Sequence, residues 1–291
     1  MYGPYTASSQ CSEQNSICGY QSHIEFGKTM RVVSLSPSVT ETLVLLGLED
    51  EIVGVTPWCL PYLKNPHNKV IAGTYTYIFI DRLKQVNPDI VFLQSRVHDI
   101  FLEPVKKHGF NAYLIPLPTN VYAIISHIIL DVGAIVGRYY ESRGLAERFL
   151  QRVYRVMEGS RNMRRRSRVY IEYLWPDKSF STAGALTFID DGIWIAGGVN
   201  IYRDIAWGFF TPRDEDTVQR GPEVVLVNIE PFMNISIEEY KKIRKPLENT
   251  RAFREGRVYL VKESREVNLA HFGPSFANTI EWMSRILQTI A

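Results

Sequence analysis

The residues of this chain whose type and setting suit chemistry are two histidines, a few acids, one arginine and a set of aromatic rings. His98 and His271 each follow an apolar run. Either imidazole could serve as an axial ligand to a bound metal complex, or act as an ordinary hydrogen-bonding loop histidine; of the two, His271 is the candidate metal ligand. Glu230 and Arg96 lie in similar loops, and a guanidinium fork suits a carboxylate or an anionic chelate. Trp58, Tyr75, Trp175, Phe209 and Phe272 sit in neighbouring loops, so rings recur wherever an apolar run ends. The adjacent acids Asp190-Asp191 resemble a catalytic pair, but consecutive helix residues diverge, and the expectation is a solvated pair.

Enzyme signatures are missing. The first apolar run leads into Ser36-Pro37-Ser38 and not into a glycine-rich phosphate loop. There is no G-x-S-x-G elbow, no H-E-x-x-H and no P-loop lysine. Cys11, Cys18 and Cys59 lack the paired spacing of a zinc site. A Cys11–Cys18 bridge stays open as a reading. The expectation is a non-catalytic protein with no intrinsic cofactor.

The elements that must carry these residues alternate. Val32–Leu35, Ile52–Val55, Ile90–Leu93 and Ala112–Ile115 are short apolar runs, separated by helical or turn-forming segments. Runs apolar on both faces indicate a buried parallel sheet. Ser36 and Pro37 suit the cap and first turn of the helix that follows the first run. A second series begins at Val169–Tyr173, continues through a helix ending at Gly198, and includes Val224–Val227 and Val258–Val261. Ligands of such sheets bind beyond the carboxyl ends of the strands, where the aromatic loops fall.

The two series are versions of one half. Residues 81–93 read DRLKQVNPDIVFL and residues 215–227 read EDTVQRGPEVVLV. Gln85 matches Gln219, Pro88 matches Pro222, and Asp89 matches Glu223. Between the halves, Leu145, Phe149, Val153 and Val156 mark one apolar face of a proline-free amphipathic helix. The fold class expected is α/β, with two similar parallel-sheet lobes joined by one long rigid helix and a ligand cleft between them. The boundaries expected are a first lobe at 30–138, the helix at 139–165 and a second lobe at 166–291.

The charged fraction of 22% and net charge of +2 give no reason to expect a nucleic-acid partner. The arginine-rich run 161–168 reads as a solvated helix end. No stretch reaches the roughly 20 apolar residues of a membrane span. Residues 1–29 lack the apolar core of a secretory signal. They read as a disordered leader, or as a mis-assigned start with translation beginning at Met30; the second reading is preferred.

RVVSLSPSVTETLVLLGLEDEIVGVT, AGTY…IDRLKQVNPDIVFL, GGVNIY and EVVLV together resemble the class III solute-binding proteins of ABC transporters, in particular the cobalamin and ferric-siderophore receptors. The resemblance covers about residues 30–288. It implies a corrinoid, haem or iron chelate held between two lobes bridged by a rigid helix. It implies that Trp58, Tyr75 and Phe209 touch the ligand, and that Asp81 and Glu215, one per lobe, dock a membrane permease. The competing reading of both acids is that they favour the dipoles of the helices they open. The resemblance implies a monomer at the extracellular face of the membrane or in the periplasm. With no export signal, a cytosolic carrier or sensor of the same ligand class is the alternative, followed by an enzyme on the same scaffold.

Overall fold

The computed structural model describes residues 29–290. The leader reading and the Cys11–Cys18 bridge fall outside the described residues. The first lobe runs β1 (Val32–Ser34), α1 (Pro37–Leu45), β2 (Ile52–Val55), β3 (Val70–Ile71), α2 (Ile80–Val86), β4 (Ile90–Gln94), α3 (Leu102–Lys107) and β5 (Ala112–Ile115). All its strands are parallel, in the order β3-β2-β1-β4-β5. Helical turns follow, from α4 (Val121–Ala123) through a π-helical stretch, Ile124–Leu130, to α5 (Asp131–Ile135). Gly137, at φ 71°, ends this segment in a conformation open to glycine. The connecting helix α6 (Tyr139–Arg161) spans 23 residues, about 35 Å at 1.5 Å per residue.

The second lobe runs β6 (Ser167–Leu174), β7 (Phe180–Ala183), α7 (Phe188–Ile195), β8 (Gly198–Asn200), β9 (Phe209–Phe210), α8 (Asp214–Arg220), β10 (Val224–Ile229), α9 (Ile237–Ile243), α10 (Arg251–Arg254), β11 (Val258–Lys262) and α11 (Phe276–Gln288). Its sheet has the order β11-β10-β6-β7-β9, with β8 paired to the start of β6. The two-lobed α/β class expected from the sequence is observed. The second sheet is mixed, because β7 pairs antiparallel with both β6 and β9. Those strands are only four and two residues long, too short to give a pattern.

The repeated motif has a common physical cause. Helix α2 ends on Asn87 and α8 ends on Gly221, both left-handed, with φ of 42° and 61°. The following acid turns back to an arginine just before or at the start of a strand in its lobe. Asp89 accepts the backbone N–H of Arg31 at 2.7 Å, and Glu223 accepts that of Arg168 at 3.0 Å. The arginine Nε then donates to the helix-end carbonyls: Arg31 to Val86 O and Arg168 to Gly221 O. Each lobe thus locks a helix end to its neighbouring strand with the same four parts.

Two local expectations change. Ser36 does not cap α1 with its side chain; its hydroxyl donates to Gln94 Oε1 at 3.0 Å, tying the helix start to β4. The arginine run is a solvated helix end only in part: Arg161 and Arg164 are exposed. Arg165 donates through a single Nη to both Glu223 carboxylate oxygens, and Arg166 lies over the Trp194 ring at 3.7 Å.

One apolar core crosses between the lobes. Phe92 and Ile115 from the first sheet, Phe149 and Val153 from α6, and Phe188, Phe276 and Ile280 from the second lobe belong to the same packed cluster. Arg152 of α6 holds Glu281 of α11 through two bonds of 2.9 and 2.7 Å. The rod is therefore packed into both halves.

Candidate functional site

Strand ends from both sheets converge on a cavity of about 370 Å3 between the lobes. Gln94 and Arg96 reach it from the end of β4, Tyr75 from the loop after β3, and Tyr173 and Trp175 from the end of β6. Glu230 follows β10, Glu263 follows β11, and His271 and Phe272 come from the loop before α11. Phe209 is delivered by β9 and packs on Tyr173 with ring centres 5.4 Å apart. The site is the strand-end position expected of parallel α/β sheets.

Of the residues singled out from the sequence, Tyr75, Arg96, Trp175, Phe209, Glu230, His271 and Phe272 line this cavity. Trp58 stands just behind Tyr75, ring centres 4.2 Å apart, and donates its indole N–H to Glu230 Oε2 at 2.7 Å. His98 is not at the site. It is fully buried, its Nδ1 accepts the Gln94 N–H at 3.2 Å, and its Nε2 lies 2.9 Å from Thr74 O. Those partners fix the tautomer, with Nε2 carrying the proton, and burial pushes its pKa down. His98 staples β4 to the loop that carries Tyr75, so its effect on the cavity is indirect.

The acids Asp190-Asp191 are not a solvated pair. Asp190 is buried and its carboxyl is raised to about 6 by desolvation. Asp191 accepts the Val121 N–H at 2.8 Å, so it caps the first helical turn of the segment leading to α6.

The lobes meet across the cavity through polar side chains. The Tyr75 hydroxyl lies 2.7 Å from His271 Nε2. His271 Nδ1 lies 3.4 Å from the Tyr62 hydroxyl and 3.5 Å from Glu263 Oε2. Asn268 Nδ2 donates to Tyr62 at 2.8 Å and its Oδ1 accepts the His271 N–H. Burial lowers His271 to about 4 and raises Glu263 to about 7, so the imidazole is neutral at neutral pH. That is the form in which an imidazole ligates a metal, although the Tyr75 hydroxyl now occupies Nε2. Among the described residues, no group of three or more His, Cys, Asp or Glu is arranged to hold a bare metal ion.

A second contact between the lobes lies deeper. Glu41 of α1 accepts the Ser275 N–H at 2.8 Å and its hydroxyl at 3.0 Å. Burial raises the Glu41 carboxyl to about 7. A Cβ at Gly273 would overlap the Glu41 carboxylate, which explains a glycine in that turn.

Sequence reasoning missed Glu41, Tyr62, Tyr173, Asn228 and Glu263. Glu263 was within reach, since it directly follows a strand. Asn228 and Tyr173 sit inside strands and Glu41 inside a helix, where no loop signal applies.

Asp81 and Glu215 are both exposed, each in the first turn of its helix, α2 and α8. The Asp81 side chain is 98% accessible and pairs with Lys84 at 3.4 Å. The repeat therefore presents one acid per lobe at equivalent positions.

Two α/β lobes, packed through a shared helix and closing on a ring-lined cavity, define a two-lobed solute-binding protein. The chain matches the periplasmic binding protein family over residues 32–264 and belongs to it. It is 24% identical over 262 residues to a cobalamin-binding protein of Halobacterium salinarum (strain R1), covering 88% of this chain and 68% of that one. The periplasmic heme-binding protein RhuT of Roseiflexus sp. RS-1, in apo form, superposes with a TM-score of 0.78 at 20% identity, covering 90% and 99% of the two chains. The periplasmic vitamin B12 binding protein BtuF of Vibrio cholerae gives 0.71 at 18% identity, covering 89% and 97%. At these identities the solved structures establish the fold. Among the described residues, no helix is long and apolar enough to cross a membrane.

Proposed function

We propose that this chain is the solute-binding component of an ABC importer and holds a metal chelate: a cobalamin-like corrinoid, a haem or a ferric-siderophore complex. The chelate is cargo, and the protein performs no chemistry on it. The observation that carries the reading is the convergence of Tyr75 from the first lobe and Trp175, Phe209 and Phe272 from the second on one cavity between them. Aromatic faces offer large apolar area to a planar ligand at small entropic cost. Ligand pockets run from about 300 to 1,000 Å3, so this cavity is at the small end. A bulky chelate enters by displacing the bonds from Trp58 to Glu230 and from Tyr75 to His271. His271 Nε2, freed of Tyr75, is then the atom placed to ligate the metal. Asp81 and Glu215 serve as the docking acids for the permease, where rim charges mainly set orientation and encounter rate. The family to which the chain belongs supports a site of action outside the cytoplasmic membrane.

The test is native mass spectrometry with absorbance titration of the purified chain against cyanocobalamin, haemin and ferric hydroxamate and catecholate complexes. A one-to-one complex, with the ligand recovered unchanged, is expected for one of them. No complex with any, or conversion of the bound ligand, overturns the reading.

A further inference from the structure

The floor of the cavity is chemically one-sided. On the second lobe it carries two carboxyls, Glu230 and Glu263, both nearly inaccessible to solvent. Beside them, Asn228 is 4% exposed; its amide N–H donates to Glu263 Oε1 at 3.1 Å, and its Oδ1 has no partner although it is buried. An unpaired buried acceptor is costly, and at the wall of a cavity it marks where a ligand donor belongs. Only one cation lines the cavity, Arg96, exposed on the opposite lobe and without an ion pair among the described residues. The other titratable groups facing Glu263 and Glu230 add no positive charge near neutral pH. They are the hydroxyls of Tyr62, Tyr75 and Tyr173 and the neutral imidazole of His271.

We infer that Glu230, Glu263 and Asn228 form a charge filter: the floor accepts an uncharged chelate that presents N–H donors and rejects one that presents carboxylates there. This rests on the solute-binding reading and sharpens it. A corrinoid rim bears carboxamides, whose N–H groups complement Asn228 Oδ1 and the carboxyl oxygens. A tetrapyrrole bearing two carboxylates finds one partner, Arg96, and brings its second charge against two acids. Like charges forced together in a desolvated site oppose binding strongly.

The test uses matched probes: cyanocobalamin and its three monocarboxylates, each with one peripheral amide hydrolysed, titrated at mildly alkaline pH. At least one monocarboxylate is expected to bind about tenfold or more weaker than the amide. Glu263→Gln and Glu230→Gln should each shrink that gap, and circular dichroism and thermal melts report whether the variants remain folded. All three monocarboxylates binding as tightly as the amide, or a gap unchanged in both variants, overturns the filter. Haemin bound in preference to cyanocobalamin also overturns it while leaving the solute-binding reading intact. Failure of every chelate to bind removes that reading, and the filter with it.

Discussion

At the scale of single residues, several side chains at the cavity bond to one another across the two lobes. Trp58 and Tyr75 stack together and each bonds across to the second lobe. Replacing either with alanine should weaken chelate binding by about 1–3 kcal/mol, the range of a buried aromatic contact; isothermal titration measures it, and unchanged affinity in both would remove them from the site. Glu41 makes a different prediction. Its folded pKa, about 7, lies above the ordinary carboxyl value of 4.5. Its proton is therefore held more tightly by the folded chain, and its contribution to stability is full below about pH 4.5 and is lost as the pH rises through about 7. Glu41→Gln should flatten that part of the stability-against-pH curve and, at about pH 8, gain up to about 3 kcal/mol, read from denaturant unfolding at several pH values. A variant curve parallel to the parent's would contradict the assignment.

At the scale of elements, the repeat was readable because its parts are chemically obligatory. The Pro-acid step after α2 and α8 is visible in sequence since the acid must reach the arginine and the helix must end left-handed. Gly221→Ala should therefore cost about 1–2 kcal/mol in thermal unfolding from backbone strain alone, because an added Cβ would meet nothing closer than the Arg168 guanidinium at 3.5 Å. The strand ends were equally legible, and with them seven of the cavity residues. His98 misled because a histidine after a strand looks the same whether it faces the cavity or staples the loop behind it. The Asp190-Asp191 pair misled because Asp190 is buried within its own lobe and Asp191 accepts a bond from Val121 of the other, neither of which a local pattern records. The short antiparallel strands β7 and β9 were invisible for want of length. The acids proposed for permease docking belong to this scale too, since α2 and α8 hold them at matching places. Asp81→Lys and Glu215→Lys should leave chelate affinity unchanged while abolishing stimulation of permease ATPase activity in proteoliposomes. Loss of chelate binding would instead assign those acids to the cavity.

At the scale of the whole molecule, α6 and the apolar core it shares with both sheets argue against wide opening and closing. Ligand binding should change the radius of gyration by less than about 1 Å in small-angle scattering; a larger change would show a hinge where the packing places a joint without play. The shared core has one more consequence. Although the halves follow a common plan, neither owns a complete interior: cutting the chain between them would divide a single packed cluster. The lobes are thus inseparable in a physical sense. A chimera that exchanges one half for a relative's must carry over the matching faces of the junction, or its two halves will no longer fit each other.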